Sequence, residues 1–159
     1  MRKHLVALIA LSAVAIVTVT FAWATPGFGV SATPIARGAG GEFRIKAENF
    51  RFKVRAKDPT DVALVNVKMA PNGFTGWHGH AGPSLVVVKT GQLAMYTPGK
   101  RACEVSVHDA GTTFVHPEGA HNFRNTAAGE TEFYIVYFVP AGGSPAAIDV
   151  TPPPEGCPA

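Results

Sequence analysis

Beyond residue 24 no stretch of the chain shows helical periodicity. Short runs that alternate apolar and polar residues are instead cut at short intervals by turn-forming residues. Phe43 and Ile45 alternate with Arg44 and Lys46, and Phe50, Phe52 and Val54 with Arg51, Lys53 and Arg55. Further runs cover Ala63–Met69, Ser84–Lys89, Gln92–Tyr96, Glu104–Val107, Thr112–Val115 and Thr131–Val139. Turn signals separate them at Asp58-Pro59, Pro71-Asn72-Gly73, Gly91, Pro98-Gly99, Asp109-Ala110-Gly111, Pro117-Glu118-Gly119 and Ala127-Ala128-Gly129. Seven or eight short strands at this spacing predict a single all-β domain, a sandwich, barrel or jelly roll. All 17 glycines and all 13 prolines lie after residue 24, an enrichment that suits frequent turns and stops short of a disordered composition. The run Phe133–Val139 is apolar on both faces, so that strand is expected to be covered on both sides, with a second subunit as one source of cover.

The first 24 residues belong to a different class. Arg2-Lys3-His4 precedes an apolar run from Leu5 to Ala24 that is broken only by Ser12, Thr18 and Thr20. Small-residue sites follow at Ala22-Trp23-Ala24 and Val30-Ser31-Ala32. The pattern is that of a signal peptide cut at either site, or of an uncleaved N-terminal membrane anchor, since such a run is long enough to cross a bilayer as a helix. Both readings make the domain extracytoplasmic, whether secreted, periplasmic or at the cell surface, with a membrane as partner only through this segment if it stays attached. Losing Arg2 and Lys3 takes the formal net charge from +3 to +1, which removes the electrostatic support for nucleic-acid binding.

Residues 25–41 show no periodicity and read as a flexible linker, with order expected from Glu42. The barrel domain is expected over 42–141, followed by a proline-rich tail over 142–159. Cys103 and Cys157 are expected to pair as a disulfide outside the cytoplasm. Such a bridge restricts the unfolded chain by ~4 kcal/mol on the loop-entropy model and pins a tail whose Pro152-Pro153-Pro154 run suits neither helix nor central strand. The basic stripe Arg51, Lys53, Arg55 and Lys57 reads as a solvated face or a charge-protected edge.

Histidines carry the chemistry. Apart from His4, all lie between residues 78 and 121: His78, His80, His108, His116 and His121. Residues i and i+2 of a strand share a face, so His78 and His80 can present two imidazoles side by side. His121 is placed after a turn to add a third from a neighbouring strand. His116 is a candidate fourth ligand or pocket base, although its parity across the turn is not set by spacing. His108 shares a face with Glu104 and Ser106, a pattern that reads as solvent. Glu118 sits in a Pro-x-Gly turn and is expected to face water. Phe74, Trp77, Phe114, Phe123, Tyr134 and Tyr137 are expected to pack the barrel.

The stretch from Gly73 through His78-Gly79-His80 and Ser84 to Gly91 resembles the first cupin motif. Gly111, Pro117, Gly119, His121 and Asn125 resemble the second. The resemblance covers roughly Glu42 to Ala141, nearly all of the chain expected to be ordered, and implies a cupin fold, a double-stranded β-helix or jelly-roll barrel with a metal site inside. It assigns His78, His80 and His121 to one divalent transition metal ion, with Fe, Zn, Cu, Ni and Mn not distinguished. It also implies a small-molecule ligand or substrate, and a homodimer through N-terminal strands that in cupins often cross to a partner. Two departures stand out. Ser84 occupies the place of the family's acidic ligand, and one residue rather than two separates Gly119 from His121. A site of three neutral imidazoles leaves the ion its full +2 charge and at least one open position. Three functions follow from this reading: a metalloenzyme of the dioxygenase, isomerase or lyase kind, a non-catalytic module that binds metal or a small ligand, and a metal-free structural barrel.

Overall fold

The computed structural model describes residues 27–158 except 48, 50, 51, 117, 146, 147, 151 and 152. The expected signal peptide or anchor, the first of the two expected cleavage sites and Arg51 lie outside the described residues. Twelve strands and no helix occur among them: β1 (Phe28–Ala39), β2 (Phe43–Ala47), β3 (Phe52–Ala56), β4 (Thr60–Phe74), β5 (His78–Gly79), β6 (Ser84–Thr90), β7 (Gln92–Pro98), β8 (Cys103–Asp109), β9 (Thr113–His116), β10 (Asn122–Asn125), β11 (Thr131–Pro140) and β12 (Ile148–Asp149). The main sheet runs β8-β7-β10-β4-β11-β6-β9, with β1 also paired to β4. Every strand pair is antiparallel. The sheet curls until β6 approaches β8, which makes a nearly closed jelly-roll barrel.

Alternation decides which residues enter it. Along β11 the inward set Phe133, Ile135, Tyr137 and Val139 is buried, and Val65, Val67 and Met69 of β4 and Val86 and Val88 of β6 meet it from either side. Leu93 and Phe123 close the core from β7 and β10. Each such side chain contributes roughly 1.5–3 kcal/mol on full burial. The outward residues of β11 are half-buried, and part of their cover comes from the chain itself: Phe43 packs on Phe138 with ring centroids 6.2 Å apart. Lys53 and Arg55 lie exposed on the β2–β3 hairpin, as a solvated stripe requires.

The linker expectation is corrected over most of its length. Residues 28–39 form β1, which pairs with β4 from Ala39↔Asp61 back to Phe28↔Phe74. Backbone hydrogen bonding, with no need for apolar alternation, makes this exposed strand. The Arg37 side chain fastens it by donating to the Asp61 carboxylate at 2.6 and 3.0 Å and to the Gly143 carbonyl at 2.6 Å. The expected turn at Pro71-Asn72-Gly73 is instead an irregularity inside β4. There Asn72 takes a φ of 61°, and the β1 register jumps from Val30↔Met69 to Phe28↔Phe74.

The disulfide between Cys103 and Cys157 is present. It holds the tail across the barrel, where β12 pairs with β5 and Trp77 Nε1 donates to the Pro158 carbonyl at 2.7 Å.

Candidate metal centre

Three imidazoles converge inside the barrel from the two motifs. His78 lies on β5, His80 just beyond it and His121 immediately before β10. One ring nitrogen from each lies within 4.8 Å of the other two. The ring centroids are 4.9 Å apart for His78 and His80, 4.1 Å for His78 and His121, and 5.3 Å for His80 and His121. All three residues are buried.

Backbone carbonyls aim the rings. The Gly76 carbonyl lies 2.9 Å from His78 Nδ1, that of Gly119 lies 3.3 Å from His121 Nδ1, and that of Pro145 lies 3.2 Å from His80 Nδ1. A carbonyl can only accept, so each Nδ1 carries the proton and each Nε2 carries the lone pair, the tautomer a metal ligand needs. Gly76 and Gly119 have φ of 75° and 133°, conformations that side-chain-bearing residues rarely take. Each turns its carbonyl back onto the histidine two residues later. The single residue between Gly119 and His121 is therefore the spacing that makes this contact, and Gly76-Trp77-His78 repeats it.

Burial favours the neutral forms of His78 and His121. It pulls His78 down to about 4, and it holds His121 well below the usual histidine range, with the neighbouring imidazoles of His78, His116 and His80 adding to the effect. A neutral imidazole is ready to ligate. His121 Nε2 is buried with no hydrogen-bond partner, as a nitrogen reserved for an ion would be. One nitrogen from each ring within 4.8 Å of the other two is a spacing at which a single ion can be shared. The residues fit a transition metal ion.

His116 joins the cluster, which settles its parity. It faces inward on β9 with its ring centroid 3.7 Å from that of His121, and burial together with the nearby His80 brings it down to about 4. Its Nδ1 is also buried without a partner. Ser84 is buried, in register with His116 on one side and Tyr137 on the other. Sequence reasoning assigned Tyr137 to packing alone, yet its ring lies 4.7 Å from that of His80, and burial pushes its phenol above the usual tyrosine range. The alternation of β11 places Tyr137 inward, but only the β6 register sets it beside Ser84. Trp77 and Phe123 are buried as expected. The solvent reading of His108 is corrected: Val105 and Val107, expected to face inward, are exposed along with Glu104 and Asp109, while His108 is half-buried and stacks on Phe114 at 3.7 Å. It takes no part in the triad. Glu118 is exposed.

Fold and cluster together define an all-β jelly-roll barrel with an inward-facing histidine triad. No protein-family model and no curated protein matches the chain. Among solved structures it is similar to oxalate oxidase in complex with the substrate analogue glycolate, at 26% identity over 56% of this chain and 46% of that one, with a TM-score of 0.49. It is also similar to a cupin domain from Bordetella pertussis Tohama I, at 26% identity over 64% of this chain and 96% of that one, with a TM-score of 0.42. A third similarity is to Bacillus subtilis oxalate decarboxylase, at 19% identity over 57% of this chain and 24% of that one, with a TM-score of 0.49. The chain spans about half the length of the oxalate oxidase chain and about a quarter of the decarboxylase. These neighbours are cupins.

Proposed function

We propose that the chain is an exported protein that holds one divalent transition metal ion on His78, His80 and His121 and receives a small molecule at the remaining coordination positions. The observation that carries this reading is the buried, unpartnered Nε2 of His121 among neutral imidazoles. In a metal-free structural barrel that nitrogen costs about 1–3 kcal/mol with nothing in return. When bound, the ion supplies Lewis acidity, undiminished by any carboxylate in the histidine group.

The chain's own residues supply the remainder of an enzyme of the dioxygenase, isomerase or lyase kind. His116 offers an unpartnered Nδ1 to accept or donate a proton. Tyr137, kept protonated, offers a hydroxyl donor beside His80. Trp77 and Phe123 exclude water. The absence of an assignable carboxylate base supports a second reading, a non-catalytic module that captures a metal or small ligand, since Ser84, at the place of the acidic ligand in the resemblance, is uncharged.

Elemental analysis of exported protein beside His121→Ala tests the metal. About one ion per chain is expected in the first and a marked loss in the second, and metal-free unmutated protein sinks the proposal. Oxygen consumption by the ferrous form with candidate substrates then separates enzyme from binder, since stoichiometric tight binding without turnover selects the module.

A further inference from the structure

The tail beyond β11 makes contacts with each of the four consecutive residues that carry the first half of the histidine cluster. Trp77 Nε1 donates to the Pro158 carbonyl at 2.7 Å. His78 and Gly79 pair with Asp149 and Ile148. His80 Nδ1 donates to the Pro145 carbonyl at 3.2 Å. The same segment is fixed at both ends. Arg37 Nη2 donates to the Gly143 carbonyl at 2.6 Å near its start, and Cys157 is bonded to Cys103 of β8 near its end.

β5 itself is only two residues long. So short a strand has too few ladder bonds to fix the direction of its side chains. One edge is held by His78 and His121, which exchange backbone hydrogen bonds at 2.9 and 2.8 Å. The other edge is held by β12. For His80, which lies past the end of β5, the carbonyl that sets the tautomer comes from the tail rather than from a neighbouring glycine. Outer contacts of this kind orient metal-binding imidazoles and raise their basicity, and their loss typically lowers metal affinity 10–100-fold.

We infer that the tail residues Pro145, Ile148, Asp149 and Pro158 are positioning residues of the metal site, so that the Cys103–Cys157 bridge and the Trp77–Pro158 hydrogen bond set the metal affinity of His78 and His80. This rests on the metal-binding reading above. Pro145, Trp77, Pro158 and the bridge act through the ligands.

The test uses the full mature chain, stripped of metal and titrated with Zn²⁺ against a chelator, and with Co²⁺ for its visible absorption. Trp77→Phe removes the indole donor together with part of a fully buried ring, and Cys103→Ser with Cys157→Ser removes the tie. Each is expected to weaken Zn²⁺ binding about 10-fold or more and to shift the Co²⁺ bands while keeping a cooperative unfolding transition. Combining the two changes is expected to add less than the product of the single effects, since both release the same segment. Thr131→Val, which removes a buried hydrogen bond to Asn125, controls for stability: it is expected to lower the melting temperature and leave affinity and spectrum unchanged. Folded variants that bind Zn²⁺ as the unmutated protein does overturn the inference and leave the metal reading standing. An unmutated protein that binds neither ion overturns both. Should the cysteine variant unfold, Trp77→Phe decides alone.

Discussion

His78 and His121 face each other as a two-residue antiparallel bridge in which each backbone N–H donates to the other's carbonyl, at 2.9 and 2.8 Å. Residues far apart in the chain thereby bring their imidazoles to a centroid separation of 4.1 Å. Each ring is then turned by the carbonyl of a glycine two residues before it. Backbone geometry has placed the two rings before any ion is considered. The arrangement holds only while both are uncharged, because two imidazolium groups at that distance in a buried site repel strongly.

Acid is therefore expected to undo the metal-free fold. His78 titrates near 4 in the folded protein, against the ordinary 6.5, so between those values the unfolded chain binds the extra proton. Stability is full above pH 6.5 and is lost progressively as pH falls towards 4. His78 alone contributes about 3 kcal/mol to that loss, and His116 and His121 act in the same direction. Urea unfolding of metal-free protein across this range measures the effect, and a flat profile refutes it. With metal bound the fall is expected to be displaced to lower pH, since protons must compete with the ion.

Legibility followed burial. β11 and β4 were readable because one face of each enters the core and leaves a period of two in the sequence. β1 was not: its residues are mostly exposed, so backbone pairing, the Arg37 contacts and the marginal packing of Val30 and Ala32 hold it, and no long apolar alternation marks it. β10 reads as polar, yet Asn122 and Asn125 are buried: distant carbonyls and the Thr131 hydroxyl satisfy Asn125, while Asn122 accepts from Thr75 Oγ1 at 3.4 Å. On β8 the rule inverted, since Val105 and Val107 face outward while His108 stacks on Phe114. The triad itself was legible through the resemblance and the i, i+2 spacing. The carbonyls that orient it were not, because their placement depends on positive φ at Gly76 and Gly119 and on a tail remote in sequence.

Asn125 is expected to matter for stability and not for metal. Its Nδ2 lies 3.0 Å from the Met69 and Ala70 carbonyls and 2.8 Å from that of Gly129, while its Oδ1 accepts from Ala127 N at 2.9 Å and Thr131 Oγ1 at 2.6 Å. Asn125→Ala strands several of these groups in a buried turn, for a loss of about 3 kcal/mol. Chemical denaturation gives the loss directly. Unchanged stability rejects the role, and so does a parallel fall in Zn²⁺ affinity.

The first residue of the exported chain is expected to be Thr25. Of the two small-residue sites, Val30-Ser31-Ala32 lies within β1, where residues 30–32 pair with Met69, Lys68 and Val67. Cutting there removes paired strand, whereas cutting after Ala24 spares all of β1. Intact-mass measurement of exported protein distinguishes the two, and a chain starting at Thr33 counts against β1 as a required part of the barrel.

Ser84→Glu tests what the vacated acidic position does. Ser84 is buried between His116 and Tyr137 in register, so a carboxylate there loses its hydration without gaining a cationic partner among these neighbours. Metal-free protein is expected to lose about 3 kcal/mol, or to hold the new group protonated. With metal bound the sign reverses, because the carboxylate meets a divalent charge and reduces it from +2 to +1. Zn²⁺ affinity is expected to rise at least about 10-fold, equivalent to about 1.4 kcal/mol, and the melting temperature to gain more from Zn²⁺ than the unmutated protein does. The same neutralisation weakens the ion as a Lewis acid, so any activity that depends on the +2 charge is expected to fall as affinity climbs. A variant that is less stable both with and without Zn²⁺, and binds it no better, shows that side chains at position 84 do not reach the ion.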